Sequence, residues 1–378
     1  MPLDLNIFAI KLKRTRDMFA ESLDQLEGAT GISAERLKRL EAAVQEPSGD
    51  EVLILADHYC IDFSFFISNE SSLPVDRAEK LFRAYSTELS RDDRLSIQEF
   101  IYLCENEAFL SAELSRPPPL AFIHQPRGTY YKGHGTEAAR ELRALLAYSP
   151  REVPDVFRDL RLLGFHVFRR RLTNTNISGL FINHDAAGPC ILVNYNEDVY
   201  RQRFTGAHEA AHAIFDANDE YVVSFEHKDH ADWREVRANS FAGAFLVPTE
   251  LVCSLPNTEW TEDALLRIAQ QLRVNTAVLA IALERERLVS KARASALMRL
   301  RLPRDTKTDP ELPPSLSASS RERKRALLER GISSHYAGLC VEGFQGHLIT
   351  RARMAEMLLV DVSEVDEIVR LFTGRGMP

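Results

Sequence analysis

The sequence has little cysteine: Cys60, Cys104, Cys190, Cys253 and Cys340 are five in 378 residues, an odd number with no C-x-x-C pair. That excludes a disulfide framework and a cysteine zinc ribbon, and points to buried reduced thiols. No apolar run approaches the roughly 18 residues a membrane span needs, and the opening "MPLDLNIFAIKLKR" lacks a signal-peptide pattern. A cytoplasmic chain with no membrane partner is the expectation. Basic excess is lacking too: the net charge is −8, so the chain as a whole is no attractor of nucleic acid, although a local basic face remains open.

What is there is globular in composition, 45% hydrophobic and 27% charged, and long enough for two or three cores. Residues 1–70 read as a compact bundle of short helices, with Gly31 closing one and Ser33 capping the next. Residues 71–120 carry apolar positions three and four apart, a helical connector that ends at "SRPPPL". Residues 121–256 change character. Helices from Thr136 and over "VPDVFRDLRLLG" precede three strand-like runs, "FHVFRRRL", "ISGLFINH" and "CILVNY". Residues 257–300 read as two helices turning near Asn275, residues 301–320 as a Pro/Ser-rich linker, and residues 321–378 as a C-terminal helical region. The fold class is therefore mainly α with a small α+β domain.

The chemistry concentrates in "RFTGAHEAAHAIF", Arg203 to Phe215. His208 and His212 are four apart, so on a helix both rings point the same way and can share one ion. Glu209 lies beside them, and the H-E-x-x-H pattern on a helix is the metalloprotease signature, with the histidines on zinc and the glutamate as general base. The alanines around them mark a buried helix, and buried histidines next to a carboxylate need a partner. A third ligand is still required. Phe215 and Asn218 stand where a metzincin has glycine and histidine, which excludes that subclass. In "DWREVRANSFAGAFLVP", Glu235 shares an apolar stripe with Ala238, Ala242, Phe245 and Leu246, and is the better candidate; Asn239, one turn on, can hold a ligand in place. His227 and His230 are the rivals, in a polar run. A salt bridge from Glu235 to Arg203, Arg234 or Arg237 is the bland alternative. For the oxyanion, Tyr195, Tyr200 and Tyr221 all stay open.

The segments "GTEAARELRALL", "ISGLFIN", "ILVNYNEDVYRQRFTGAHEAAHAIF" and "REVRANSFAGAFLVP" together resemble the ImmA/IrrE family of metallopeptidases over about Thr136 to Pro248. The resemblance implies a zincin-like domain in which His208, His212 and Glu235 hold Zn2+, with Mn2+ as the second choice, and Glu209 is the catalytic base. It also implies a protein substrate, a helix-turn-helix transcriptional repressor whose cleavage releases stress, phage or mobile-element genes. Ala211 departs from the glycine that the family often has before the second histidine.

Upstream, residues 1–66 resemble the five-helix, phage-repressor-type (XRE-like) helix-turn-helix domain, with Ser33 to Val44 as the recognition helix. Arg36, Lys38 and Arg39 would face DNA. The charge balance opposes this, with seven Lys and Arg against twelve Asp and Glu in that stretch. Recognition of another protein is the competing use. A DNA-binding regulator with a metal- or ligand-sensing zincin domain, or a toxin-antitoxin component, is the alternative to a protease.

Overall fold

A computed structural model describes residues 3–69, 76–117, 119–126, 128–129, 131–148, 150–216, 221–225, 232–255 and 260–374. Contacts divide the chain into two units, Met1–Leu103 with Leu172–Asn174, and Cys104–Arg171 with Thr175–Pro378.

The first unit is helical: α1 (Leu5–Met18), α2 (Leu23–Thr30), α3 (Ala34–Glu41), α4 (Gly49–His58), α5 (Phe63–Ile67), α6 (Asp76–Ala84) and the first part of α7 (Arg91–Glu113). Its helices start where the side chains can cap them. Asp4 accepts from Asn6 and Ile7, Ser22 and Gln25 form a capping box, Ser33 caps α3, and Ser48 with Glu51 forms a second box. Gly31 ends α2 at φ +73°, a conformation that glycine adopts without strain. Phe8, Leu12, Phe19, Leu37, Leu55, Tyr59 and Phe66 form its core.

In the second unit α8 (Tyr131–Leu145) and α9 (Val156–Leu162) lead to a sheet of β1 (His166–Arg170), β2 (Ile177–His184), β3 (Gly188–Asn194) and β4 (Tyr221–Phe225), in the order β1-β3-β2-β4. β1 runs parallel to β3, while β2 is antiparallel to both β3 and β4, with Leu180 opposite Leu192 on one side and Val223 on the other. The sheet is thus mixed, and β4 forms one of its edges. β4 was not foreseen in the sequence: it is five residues long and sits directly before the charged "EHKDHADW" stretch, so its strand pattern is short and its pairing partner is distant in sequence.

Between β3 and β4 lies α10 (Val199–Phe215), and α11 (Trp233–Leu246) follows β4. Asp198 caps α10 by accepting from the N–H groups of Tyr200 and Arg201. Ala207, Ala210, Ala211 and Ala213 are buried, and small side chains let the helix lie close on β2 and β3. Ala211 fits there at 1% exposure. On the far side α11 packs against α8 at Gly135, where a Cβ would come 2.3 Å from the Arg237 carbonyl oxygen and 2.8 Å from the Phe241 nitrogen. Only glycine permits that approach.

The remaining helices are α12 (Thr249–Ser254), α13 (Glu262–Leu272), α14 (Thr276–Arg285), α15 (Lys291–Leu297), α16 (Ala318–Glu329), α17 (Ser334–Gln345), α18 (Arg351–Met357) and α19 (Val365–Thr373). The 301–320 stretch, read from composition as a linker, is in fact anchored. Asp309 pairs with the buried Arg169 of β1 at 2.7 Å, Lys307 pairs with Asp198 at 2.8 Å, and Glu311 accepts from the Ser334 nitrogen at the start of α17. Composition registers loop character but not long-range ion pairs. Of the cysteines, Cys104, Cys190 and Cys340 are buried as expected, whereas Cys253 is exposed and Cys60 half-buried; all five are free.

Candidate metal centre

His208 and His212 project from consecutive turns of α10, and Glu235 reaches them from the first turn of α11. The two Nε2 atoms are 3.2 Å apart, Glu235 Oε2 is 3.2 Å from His208 Nε2, and Oε1 is 3.3 Å from His212 Nε2. Among the described residues this is the one group of three or more such side chains close enough to hold a metal ion. Tetrahedral ligands about 2.0–2.1 Å from a zinc lie about 3.3 Å from one another, so the triangle has the right edge.

The other faces of the rings decide which atoms point inward. His208 Nδ1 is 3.1 Å from Asn239 Oδ1, and His212 Nδ1 is 2.9 Å from Asp216 Oδ2. Both neighbours are acceptors, so each ring donates from Nδ1 and turns the lone pair of Nε2 into the triangle. Two imidazole lone pairs and a carboxylate then converge at short range, an arrangement that repels itself without a positive charge between its members. The donor set of two imidazoles and a carboxylate, oriented from behind, fits a divalent cation.

Electrostatics agree with that geometry. Burial works to lower the pKa of His212, but hydrogen bonds to Asp216 and Glu235 outweigh it and push the value up to about 9. Burial would raise Glu235, yet the two imidazoles hold it well below the usual carboxylate range. A site that favours a proton on an imidazole this strongly favours any cation. Asp216 is likewise held down, by His212 and by Arg237, against the effect of its own burial. Arg237 in turn lies over the Phe215 ring, 4.4 Å from its centroid.

Glu209 is fully buried, and among the described residues neither carboxylate oxygen has a hydrogen-bond partner of normal geometry. Burial pushes its pKa up, with the neighbouring histidines and Ser224 of β4 opposing the shift. Space for it is made by Gly179 of β2: a Cβ there would stand 2.9 Å from Glu209 Oε1, 2.8 Å from Thr205 Cγ2 and 2.9 Å from the Leu192 carbonyl oxygen. A buried, unpaired carboxylate is costly, so its retention beside a cation site needs a chemical reason.

Of the other residues considered from sequence, His227 and His230 lie outside the described residues, as does Asn218. Of the three arginines considered as salt-bridge partners of Glu235, Arg203 donates to the Val153 and Pro154 carbonyls and Arg237 is on Asp216. Tyr200 is buried with its hydroxyl on the Gln270 carbonyl, Tyr195 packs under Arg169, and Tyr221 begins β4. In the first unit, Arg36 is held by Glu51 at 2.7 Å and by Gln45, Arg39 pairs with Glu35, and Lys38 is exposed. Sequence reasoning missed Asp216 and Gly179. Asp216 sits four residues after His212, a spacing that could have shown it; Gly179 gave no local signal.

A mixed sheet carries a helix with two histidines and a glutamate, and a carboxylate from the next helix completes a group that could hold a metal ion. Residues 161–284 match the peptidase M78 family, described as the IrrE N-terminal-like domain, and this segment holds Gly179, His208, Glu209, His212, Asp216, Glu235 and Asn239. A search of curated proteins finds no match. No helix among the described residues is long and apolar enough to cross a membrane.

Proposed function

We propose that this chain is a metal-dependent endopeptidase in which His208, His212 and Glu235 hold the cation, Glu209 is the general base, and Asn239 and Asp216 are positioning residues. The observation that supports this reading is the convergence of three lone-pair donors at 3.2–3.3 Å beside the unpartnered carboxylate of Glu209. When bound, zinc or manganese supplies Lewis acidity to a peptide carbonyl and acidifies a water near neutral pH. Glu209, raised by burial, is suited to take a proton from the attacking water and pass it to the leaving amine. Asn239 and Asp216 keep the imidazoles in the ligating tautomer throughout. β4, at the sheet edge, offers an extended substrate a strand to pair with.

A pure sensor domain needs ligands but no buried base, so Glu209 favours the hydrolase over the regulator and over a toxin-antitoxin component. The substrate is a helix-turn-helix repressor, cut in the cytoplasm to release stress or mobile-element genes. The first unit docks protein rather than DNA: two of its three candidate phosphate contacts, Arg36 and Arg39, are already neutralised by Glu51 and Glu35. An electrophoretic shift with operator DNA that survives physiological salt would reverse that assignment.

The decisive experiment incubates the purified chain, with zinc or manganese, beside helix-turn-helix repressors from the same organism. Cleavage that is lost in Glu209→Gln while metal content stays the same supports the reading. A partner left intact under every metal overturns it.

A further inference from the structure

Beyond Phe204 and Asn239 opens a groove of about 740 Å³ that the chemistry above does not use. Phe204 lies one turn before His208, with ring centroids 6.4 Å apart, and Asn239 touches His208 Nδ1. The groove therefore begins where the ligand triangle ends. Its apolar lining comes from Val236, Val278, Ile281 and Met298, and Ile281 is 51% exposed. Leaving that much aliphatic surface in water is unfavourable, and such a concave patch marks a place where another apolar group goes.

The rim carries Lys132, Arg201, Arg301 and Lys307 against a single acid, Asp198. Arg201 is paired with Glu197 at 3.2 Å and Lys307 with Asp198 at 2.8 Å. Arg301 donates only to the carbonyls of Met298 and Leu300, and Lys132 is exposed, with no acidic partner for either among the described residues. The charge left over is positive, although the chain as a whole is at −8. Local charge against the global sign is what a complementary ligand requires.

Resting on the peptidase reading, we propose that this groove binds the substrate segment beside the cleaved bond and selects one pairing a large aliphatic side chain with Asp or Glu. The aliphatic group covers Ile281 and Met298, and the carboxylate meets Lys132 and Arg301. A basic segment is rejected by the same two cations.

The test uses two decapeptide libraries capped at both ends, so that side-chain carboxylates alone are read: one with a central Leu flanked by Asp or Glu, the other with the same Leu flanked by Lys or Arg. Binding is measured by fluorescence anisotropy on the full-length, metal-loaded Glu209→Gln protein, and cleavage by mass spectrometry on the unsubstituted protein. The acidic library should bind more tightly, and more weakly as salt rises. Lys132→Glu with Arg301→Glu should reduce that binding about fivefold or more and move the preference toward the basic library. Equal binding of both libraries, or no change on charge reversal, overturns the groove assignment even if cleavage occurs. Charge-selective binding without cleavage of any peptide or helix-turn-helix repressor supports the groove and removes the peptidase reading.

Discussion

Asp216 Oδ2 lies 2.9 Å from His212 Nδ1, four residues earlier on α10, and Arg237 of α11 holds the other oxygen of the same carboxylate. The His212 imidazole is thus oriented from the end of its own helix and the orienting carboxylate is held from the next. Asp216→Ala should weaken metal binding about 10- to 100-fold while leaving the helical circular dichroism unchanged, because outer partners of metal-bound histidines have effects of that size. Competition with a chelating dye reads the affinity. Unchanged affinity would assign the pair to structure alone.

Glu235 joins α11 to His208 and His212 on α10. A cation that binds only the folded protein raises its melting temperature by mass action. Zinc added to the metal-free protein should therefore raise Tm, and Glu235→Ala should abolish the increment. Differential scanning fluorimetry with and without a chelator gives both numbers.

Gly179 stands where a Cβ would meet Glu209, Thr205 and the Leu192 carbonyl. All three contacts are with buried residues, so Gly179→Ala forces either the strand or Glu209 to move. The expected destabilisation is about 1–3 kcal/mol, the usual size for overpacking a core. Urea denaturation measures it, and a parallel fall in peptidase activity at full metal occupancy would report the displacement of Glu209.

Away from the metal centre, Glu107 of α7 is buried, 3.2 Å from His166 Nδ1 and 3.0 Å from His335 Nε2. Burial alone would raise its carboxyl, but the imidazoles dominate and its pKa falls to about 2, from an ordinary 4.5. A depressed folded-state pKa gives stability that is present above the unfolded value and is lost as pH falls through the folded one. Stability should decline between about pH 4.5 and pH 2, and Glu107→Gln should flatten that decline, with a difference on the order of 2–3 kcal/mol at neutral pH. Denaturant midpoints across that range check the sign.

Much of the centre could be read before any coordinates, for a physical reason. His208, Glu209 and His212 lie within five residues of one helix, where spacing alone fixes direction, and Glu235 stood out as a carboxylate on an apolar stripe. The helix caps at Ser33 and Gly31 were equally local. What the sequence did not carry were relationships across the fold: β4 as a sheet edge, Gly179 yielding room to Glu209, and Arg237 committed to Asp216 instead of Glu235. Each depends on which segments become neighbours, and neither composition nor periodicity encodes that. The stretch at 301–320 shows the same limit from the other side, since its prolines and serines suggested a spacer while Lys307 and Asp309 bind it to the sheet domain.

Asp198 receives the N–H groups of Tyr200 and Arg201 at the start of α10, and it also neutralises Lys307. The helix that presents both imidazoles consequently has its first turn fastened to a piece of chain more than a hundred positions downstream. A shortened protein ending before Leu302 would keep His208, His212 and Glu235 and still lose that fastening, so the stretch around Lys307 belongs to the foundation of the centre.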